Sequence, residues 1–298
     1  MRNYLKILLV VSCLGFSNIS NAQENVNKTV LPKIPQQLFF CNEAVPLERL
    51  DVRESLDREL LVNTFWHSQT YLLIKRANRY FPVIEPILKE QGVPDDFKYL
   101  ALIESGFTNI VSPAGAAGFW QFLKTTGEKY GLIVDDEVDE RYNLEKATIA
   151  ACNYLKNSYS LYKNWTLAAA AFNMGDNGML NQIKTQKVSN YYDLYLNTET
   201  ARYVYRILAI KIIYENPAAS GFTIEKEDLY PRVRTSTITV DSAISDLAQF
   251  ALDKGITYKM LKEYNPWLRK NSLTNKSKNK FIISIPDTND LYYKAHFK

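Results

Sequence analysis

In the segment Phe97-Lys98-Tyr99-Leu100-Ala101-Leu102-Ile103-Glu104-Ser105-Gly106, one carboxylate stands among apolar residues. On a helix, Phe97, Leu100, Ala101 and Glu104 fall at i, i+3, i+4 and i+7, so the carboxylate shares the face that packs inward. Burial disfavours its ionised form, and a helix C-terminus near Gly106 adds negative potential, so both effects raise the pKa of Glu104. A carboxyl held protonated near neutral pH is what a general acid requires. Alone the feature says little, because a glutamate near a helix end is far more often solvated.

Three other segments add polar and aromatic groups. Ser112-Pro113-Ala114-Gly115-Ala116-Ala117-Gly118-Phe119-Trp120-Gln121-Phe122 is a loop of small residues that lets a ligand approach the backbone. Trp120 or Phe119 can stack there on a sugar face; the plainer reading is a turn with core aromatics. Ala168-Ala169-Ala170-Ala171-Phe172-Asn173-Met174-Gly175 reads as a helix stopped by glycine. Its Asn173 can project a donor and an acceptor into a cleft, or its alanines can simply permit close helix packing. Glu199-Thr200-Ala201-Arg202-Tyr203-Val204 starts another helix, from which Tyr203 can offer a hydroxyl to a carboxylate or join a core stripe with Ile207, Ile210 and Tyr214.

Other chemistries have little support. His67 and His296 stand alone, so neither a zinc site nor a Cys/His dyad is readable, and no metal or cofactor is expected. The formal net charge of +4 falls to +2 if Arg2 and Lys6 are removed, too weak a field to suggest nucleic acid. Those two cations precede an apolar run, Ile7 to Phe16, and then Ser20-Asn21-Ala22, the layout of a cleaved secretory signal over residues 1–22, with the mature chain starting at Gln23. The run is too short to span a bilayer. Val10-Val11-Ser12-Cys13 loosely matches a lipoprotein cleavage site, so membrane anchoring arises only if Cys13 is lipidated. Without it the protein is expected in the periplasm; with it, as an outer-membrane lipoprotein. Cys152 lies among Ala147, Ala151 and Leu155 as a small buried residue, and with Cys41 makes no disulfide framework.

The elements that must hold these groups are helices. The 298 residues are 46% hydrophobic and suit one medium domain plus a smaller one. Residues 23–45 read as a polar extended leader. Residues 46–220 read as an all-α domain, with helical spacing from Val52 to Tyr80, a short helix starting at Pro82, one after Pro94, and others near Gln121 and over 144–162, 165–174 and 199–214. A polar linker over 221–234 leads to a module at 235–298 in the order strand (235–240), helix (243–252), helix (258–264), strand (281–285).

The series Ile-Glu-Ser-Gly-Phe, Gly-Ala-Ala-Gly-Phe-Trp-Gln-Phe, Ala-Ala-Phe-Asn-Met-Gly and Glu-Thr-Ala-Arg-Tyr-Val resembles the lytic transglycosylases of the soluble and membrane-bound D types, from roughly Val52 to Tyr214. The resemblance implies a lysozyme-like all-α catalytic domain acting on peptidoglycan glycan strands, with Glu104 as the catalytic residue. It places Gln121, Asn173 and Tyr203 in the substrate cleft, and Ser105, Ser112, Trp120 and Phe172 in the same motifs are further candidates for binding substrate. Phe119 stands where leucine is usual, and Phe172 replaces a tyrosine, removing a hydroxyl from the cleft. The last module resembles a LysM domain, a small α+β unit that binds N-acetylglucosamine chains, although Asp241-Ser242-Ala243 stands where a Gly-Asp turn is usual.

The implied reaction cuts the β-1,4 bond between N-acetylmuramic acid and N-acetylglucosamine and closes a 1,6-anhydro ring. Ordinary glycosidases use two carboxylates. Here the only other acidic residue in the cleft motifs, Glu199, reads as a helix-end charge. The competing readings are a goose-type lysozyme hydrolysing the same bond and a non-catalytic wall-binding protein.

Overall fold

The computed structural model describes residues 31–297, so the signal-like segment and Cys13 lie outside the described residues. Ten α-helices dominate it, with two small two-stranded sheets. Helices α1 (Leu50–Phe65) and α2 (His67–Glu90) follow one another with a break at Trp66, and α1 packs mainly on the helix that closes the domain. The helix expected to start at Pro82 is instead the continuation of α2, which contains both Pro82 and Pro86. Burial of Phe81, Ile84 and Leu88 against the core outweighs the backbone hydrogen bonds the prolines cannot make.

Short α3 (Phe97–Ser105) buries six of its nine residues and ends on Gly106 at φ +55°. A left-handed residue stops the helix one position after Ser105, where glycine bears no Cβ penalty. After α4 (Lys124–Lys129) come α5 (Leu144–Tyr162), α6 (Trp165–Met174), α7 (Asp176–Gln186) and α8 (Thr198–Glu215). Asparagines cap three of these: Asn143 on α5, Asn164 on α6 and Asn197 on α8, each accepting a backbone N–H of the first turn. Helix α7 is polar in sequence and buries only Met179, so no periodic stripe announces it.

The leader is partly structural. Strands β1 (Phe39–Phe40) and β2 (Glu43–Ala44) make a tight hairpin, and Leu38, Phe40, Cys41, Val45 and Leu47 enter the main core. The Glu43 carboxylate accepts the backbone N–H groups of Trp165 and Thr166, at 2.6 and 2.9 Å, capping the positive end of α6. Cys41 and Cys152 are both buried free thiols.

The C-terminal module pairs β3 (Thr235–Val240) antiparallel with β4 (Phe281–Pro286), and packs α9 (Leu247–Asp253) and α10 (Tyr258–Tyr264) on that sheet. Its core, with Leu247, Leu261, Trp267 and Ile283, includes Ala117, Val138 and Tyr142 of the helical domain. Asp139 N–H donates to the Trp267 carbonyl (2.9 Å), Arg269 N–H to the Glu137 carbonyl (2.7 Å), and the Arg269 guanidinium lies 4.3 Å from the Tyr142 ring centroid. The residues between the domains are also held. Phe222 is buried, Tyr230 N–H bonds the Lys75 carbonyl of α2, and Arg79 covers the Tyr230 ring. The module thus keeps its own apolar core, separate from the main helical one, and seats three side chains of the helical domain in it. Among the described residues no helix is long and apolar enough to cross a membrane.

Candidate active site

Glu104, near the end of α3, meets the first turns of α8; α8 in turn holds the end of α6, and the loop between α3 and α4 is bonded to Ser105 beside Glu104. Helix α8 is fixed at two places. Arg202 makes a two-point ion pair with the buried Glu59 of α1 (2.7 and 3.2 Å), and further along Lys211 pairs with Asp96 just before α3. Between those anchors Tyr203, 1% exposed, donates its hydroxyl to Oε1 of Glu104.

Burial pushes the Glu104 carboxyl up to about 7. The Tyr203 hydrogen bond and the positive charge of Arg206 pull the other way, and the negative charge of Glu199 adds to the rise. The Tyr203 hydroxyl is itself driven well above its ordinary value, first by burial and then by the Glu104 charge, so it stays a donor across the accessible pH range. Glu104 is therefore divided between acid and carboxylate near neutral pH, with a fixed donor ready for the ionised form. Such a group can give a proton and take one back.

Asn173, at the end of α6, uses both halves of its amide on α8. Nδ2 donates to Glu199 Oε1 (2.9 Å), and Oδ1 accepts from the Thr200 hydroxyl (2.8 Å). Glu199 is exposed in the first turn of α8, as a helix-end charge would be. It is also close enough to Glu104 to act on its ionisation, which its position at a helix start did not reveal.

Gln121 has a left-handed backbone (φ 49°), and its Nε2 donates to the carbonyls of Gly118 (2.8 Å) and Ile110 (3.2 Å). Ser112 and Ser105 spend their hydroxyls on the protein. Ser112 Oγ accepts Ala116 N–H (3.0 Å) to shape the loop. Ser105 Oγ donates to the Phe119 carbonyl (2.9 Å) and accepts Phe107 N–H (3.1 Å), binding the end of α3 to the loop.

Trp120 is not placed to stack on a sugar. Its ring is 0% exposed, and its indole N–H donates to Thr148 Oγ1 of α5 at 2.9 Å. Phe119 is buried as well. A ring with no free face offers a ligand nothing, so here the core reading of the loop aromatics prevails. Phe172, half-buried, packs between Trp120, Phe122 and Tyr154, with centroids 6.1, 5.6 and 5.1 Å away.

Residues 81–194 match the family described as "Transglycosylase SLT domain", and residues 236–289 match "Soluble lytic transglycosylase C-terminal LysM-like domain". The chain carries an SLT transglycosylase domain. It is similar to the membrane-bound lytic murein transglycosylase D of Escherichia coli strain K12, and to the protein of that name from E. coli O6:H1 strain CFT073. Each is 29% identical over 231 residues, covering 74% of this chain and 49% of the relative. The chain thus spans about half the length of the curated relatives it matches. The SLT match holds Glu104, Ser112, Gln121 and Asn173 but stops before α8. Tyr203, Glu199 and Arg206, which adjust the shift that burial gives Glu104, enter from outside it. Arg206 carried no sequence signal beyond one more cation on a helix; its spacing of three from Tyr203, which puts both on one face, was the available clue.

Proposed function

We propose that the protein is a peptidoglycan lytic transglycosylase with Glu104 as acid and then base. Glu104 protonates the β-1,4 glycosidic oxygen between N-acetylmuramic acid and N-acetylglucosamine, the C1–O bond breaks, and the 2-acetamido group stabilises the cationic centre. The resulting carboxylate, held by the Tyr203 hydroxyl and facing the charge of Arg206, takes the proton of the sugar's own C6 hydroxyl as O6 closes on C1. The glycan is cut with no water consumed, and Glu104 is protonated again for the next cycle. Attack by a hydroxyl already on the substrate gains from intramolecular proximity.

The observation that carries this reading is one buried carboxyl poised at about 7 with a fixed hydroxyl donor on it. In the same reading Gln121 and Asn173 face the glycan, and Ser105, Ser112, Trp120 and Phe172 shape the cleft from behind. The substrate is the glycan strand of the wall, reached by export to the periplasm, with or without acylation at Cys13. The C-terminal module contributes a sugar-binding surface.

Glu199 favours one other reading. A second carboxylate near the acid can orient a water, as in inverting glycosidases. Mass analysis of products from purified peptidoglycan separates the two, because 1,6-anhydro ends are lighter than reducing ends by one water, about 18 Da. Reducing ends as the main product move the protein to the hydrolases.

A further inference from the structure

Arg141 lies outside the cleft and carries none of the motifs described above. Its side chain nevertheless occupies the back of the Gln121 loop. Nη1 donates to the carbonyls of Gly115 (3.0 Å) and Phe122 (3.1 Å), which stand on either side of Gln121 in the chain. Nε and Nη2 are held by the Asp139 carboxylate in a two-point pair at 2.9 and 2.7 Å. A guanidinium fixed on one edge by a carboxylate presents its remaining N–H groups at a set angle, which an ammonium does not.

The backbone of Arg141 is engaged as well. Gly118, at φ +79°, sits so close to it that a Cβ would lie 1.8 Å from the Arg141 carbonyl oxygen. Gly118 in turn offers the carbonyl that holds the Gln121 side chain. The far end of this chain of contacts is the C-terminal module, since Asp139 N–H donates to the Trp267 carbonyl and Val138 bridges to Leu268.

We propose that Arg141, oriented by Asp139 and by the docked C-terminal module, is a positioning residue that sets the conformation of the loop carrying Gln121. It never touches glycan. The module thereby acts on cleavage through the backbone of residues 137–140, in addition to any sugar it binds. The inference rests on the proposed function for its consequence in turnover, and on geometry alone for the clamp.

The test is a double-mutant cycle on soluble glycan fragments, run beside hydrogen exchange on the full chain. Arg141→Ala is expected to lower kcat/KM about tenfold, and Arg141→Lys about as much, because lysine cannot reach both carbonyls from its pairing with Asp139. In the Gln121→Ala background the same Arg141→Ala change is expected to cost less than about twofold, since residues acting through one another are non-additive. Exchange of amides 112–122 is expected to rise in Arg141→Ala while that of α3, α5 and α8 stays as in the wild type. Costs that simply add, or loop protection that does not change, overturn the proposal. Should Arg141→Ala fail to fold, Arg141→Lys and Asp139→Asn carry the same cycle. A wild-type protein that releases nothing from glycan overturns the proposed function instead, and the exchange measurement still decides the clamp.

Discussion

Tyr203, fully buried, and Glu104, partly buried, stand 99 residues apart in the chain and share one hydrogen bond. The bond acts on only one of the two states of Glu104, because the hydroxyl stabilises the carboxylate more than the acid. It thus opposes the burial that raises the carboxyl to about 7. The state that accepts the Tyr203 proton donor is the one that must exist between the two halves of the proposed reaction.

Glu104→Gln is expected to abolish cleavage and to remove a pH dependence of stability that the wild type carries. The folded-state value of about 7 stands above the ordinary 4.5, so between these limits the native chain binds more protons than the unfolded chain. Stability contributed by the protonated carboxyl is full below about 4.5 and is lost as pH rises through about 7, a change on the order of 3 kcal/mol at most. Glutamine cannot ionise. Thermal unfolding should show Glu104→Gln matching the wild type near pH 4 and exceeding it near pH 8; equal curves at both would mean the carboxyl titrates normally.

Tyr203→Phe removes the donor that lowers the Glu104 value. Since the acid must be protonated to start the reaction, the descending limb of the kcat/KM profile should lie near 7 in the wild type and move upward in the variant. The rate on the plateau should fall about tenfold or more, because the intermediate carboxylate loses its partner. A limb that moves downward would contradict the assignment.

Glu199→Gln works in the opposite sense. Removing its negative charge takes away a contribution that raises Glu104, so the limb should move below 7. Products should retain their 1,6-anhydro ends at an undiminished fraction. Loss of turnover with reducing ends in the wild type would show that Glu199 holds a water.

Ending the chain after Tyr230 exposes Val138 and Tyr142, which share a core with Trp267 and Leu268. Each buried apolar side chain is worth about 1.5–3 kcal/mol, so the melting temperature of the helical domain should drop by several degrees. A melt identical to that of the full chain would show that the two parts are independent.

Much of the framework was legible locally: helices 144–162, 165–174 and 258–264 and strand 235–240 begin and end where their apolar spacing, caps and alternation place them. Helix α7 was not, since a polar surface helix has no stripe to count. Pro82 misled because a proline reads as a break locally, whereas the outcome depends on what Phe81 and Ile84 bury against. In the site, the inward aim of Glu104 followed from its spacing within one helix. Tyr203 was readable as a hydroxyl donor to a carboxylate, with a core stripe as the alternative, whereas the influence of Glu199 and Arg206 was not, because they come near Glu104 only through the packing of α8 on α3 and α6. Trp120 shows the same limit from the other side, since an aromatic beside a glycine loop reads alike whether it faces ligand or core.

The Glu43 carboxylate on the first turn of α6 has a practical bearing on where this domain can be cut. A fragment chosen from the matched residues 81–194 would discard α1, α8 and the hairpin that seats Phe40 and caps the helix bearing Asn173. One chosen from the start of α1 at Leu50 would keep the helices and still leave the α6 N-terminus without its carboxylate. A fragment meant to keep this cap therefore begins no later than Leu38, with any tag or fusion partner upstream of the residues that pack on the core, Ile34 among them.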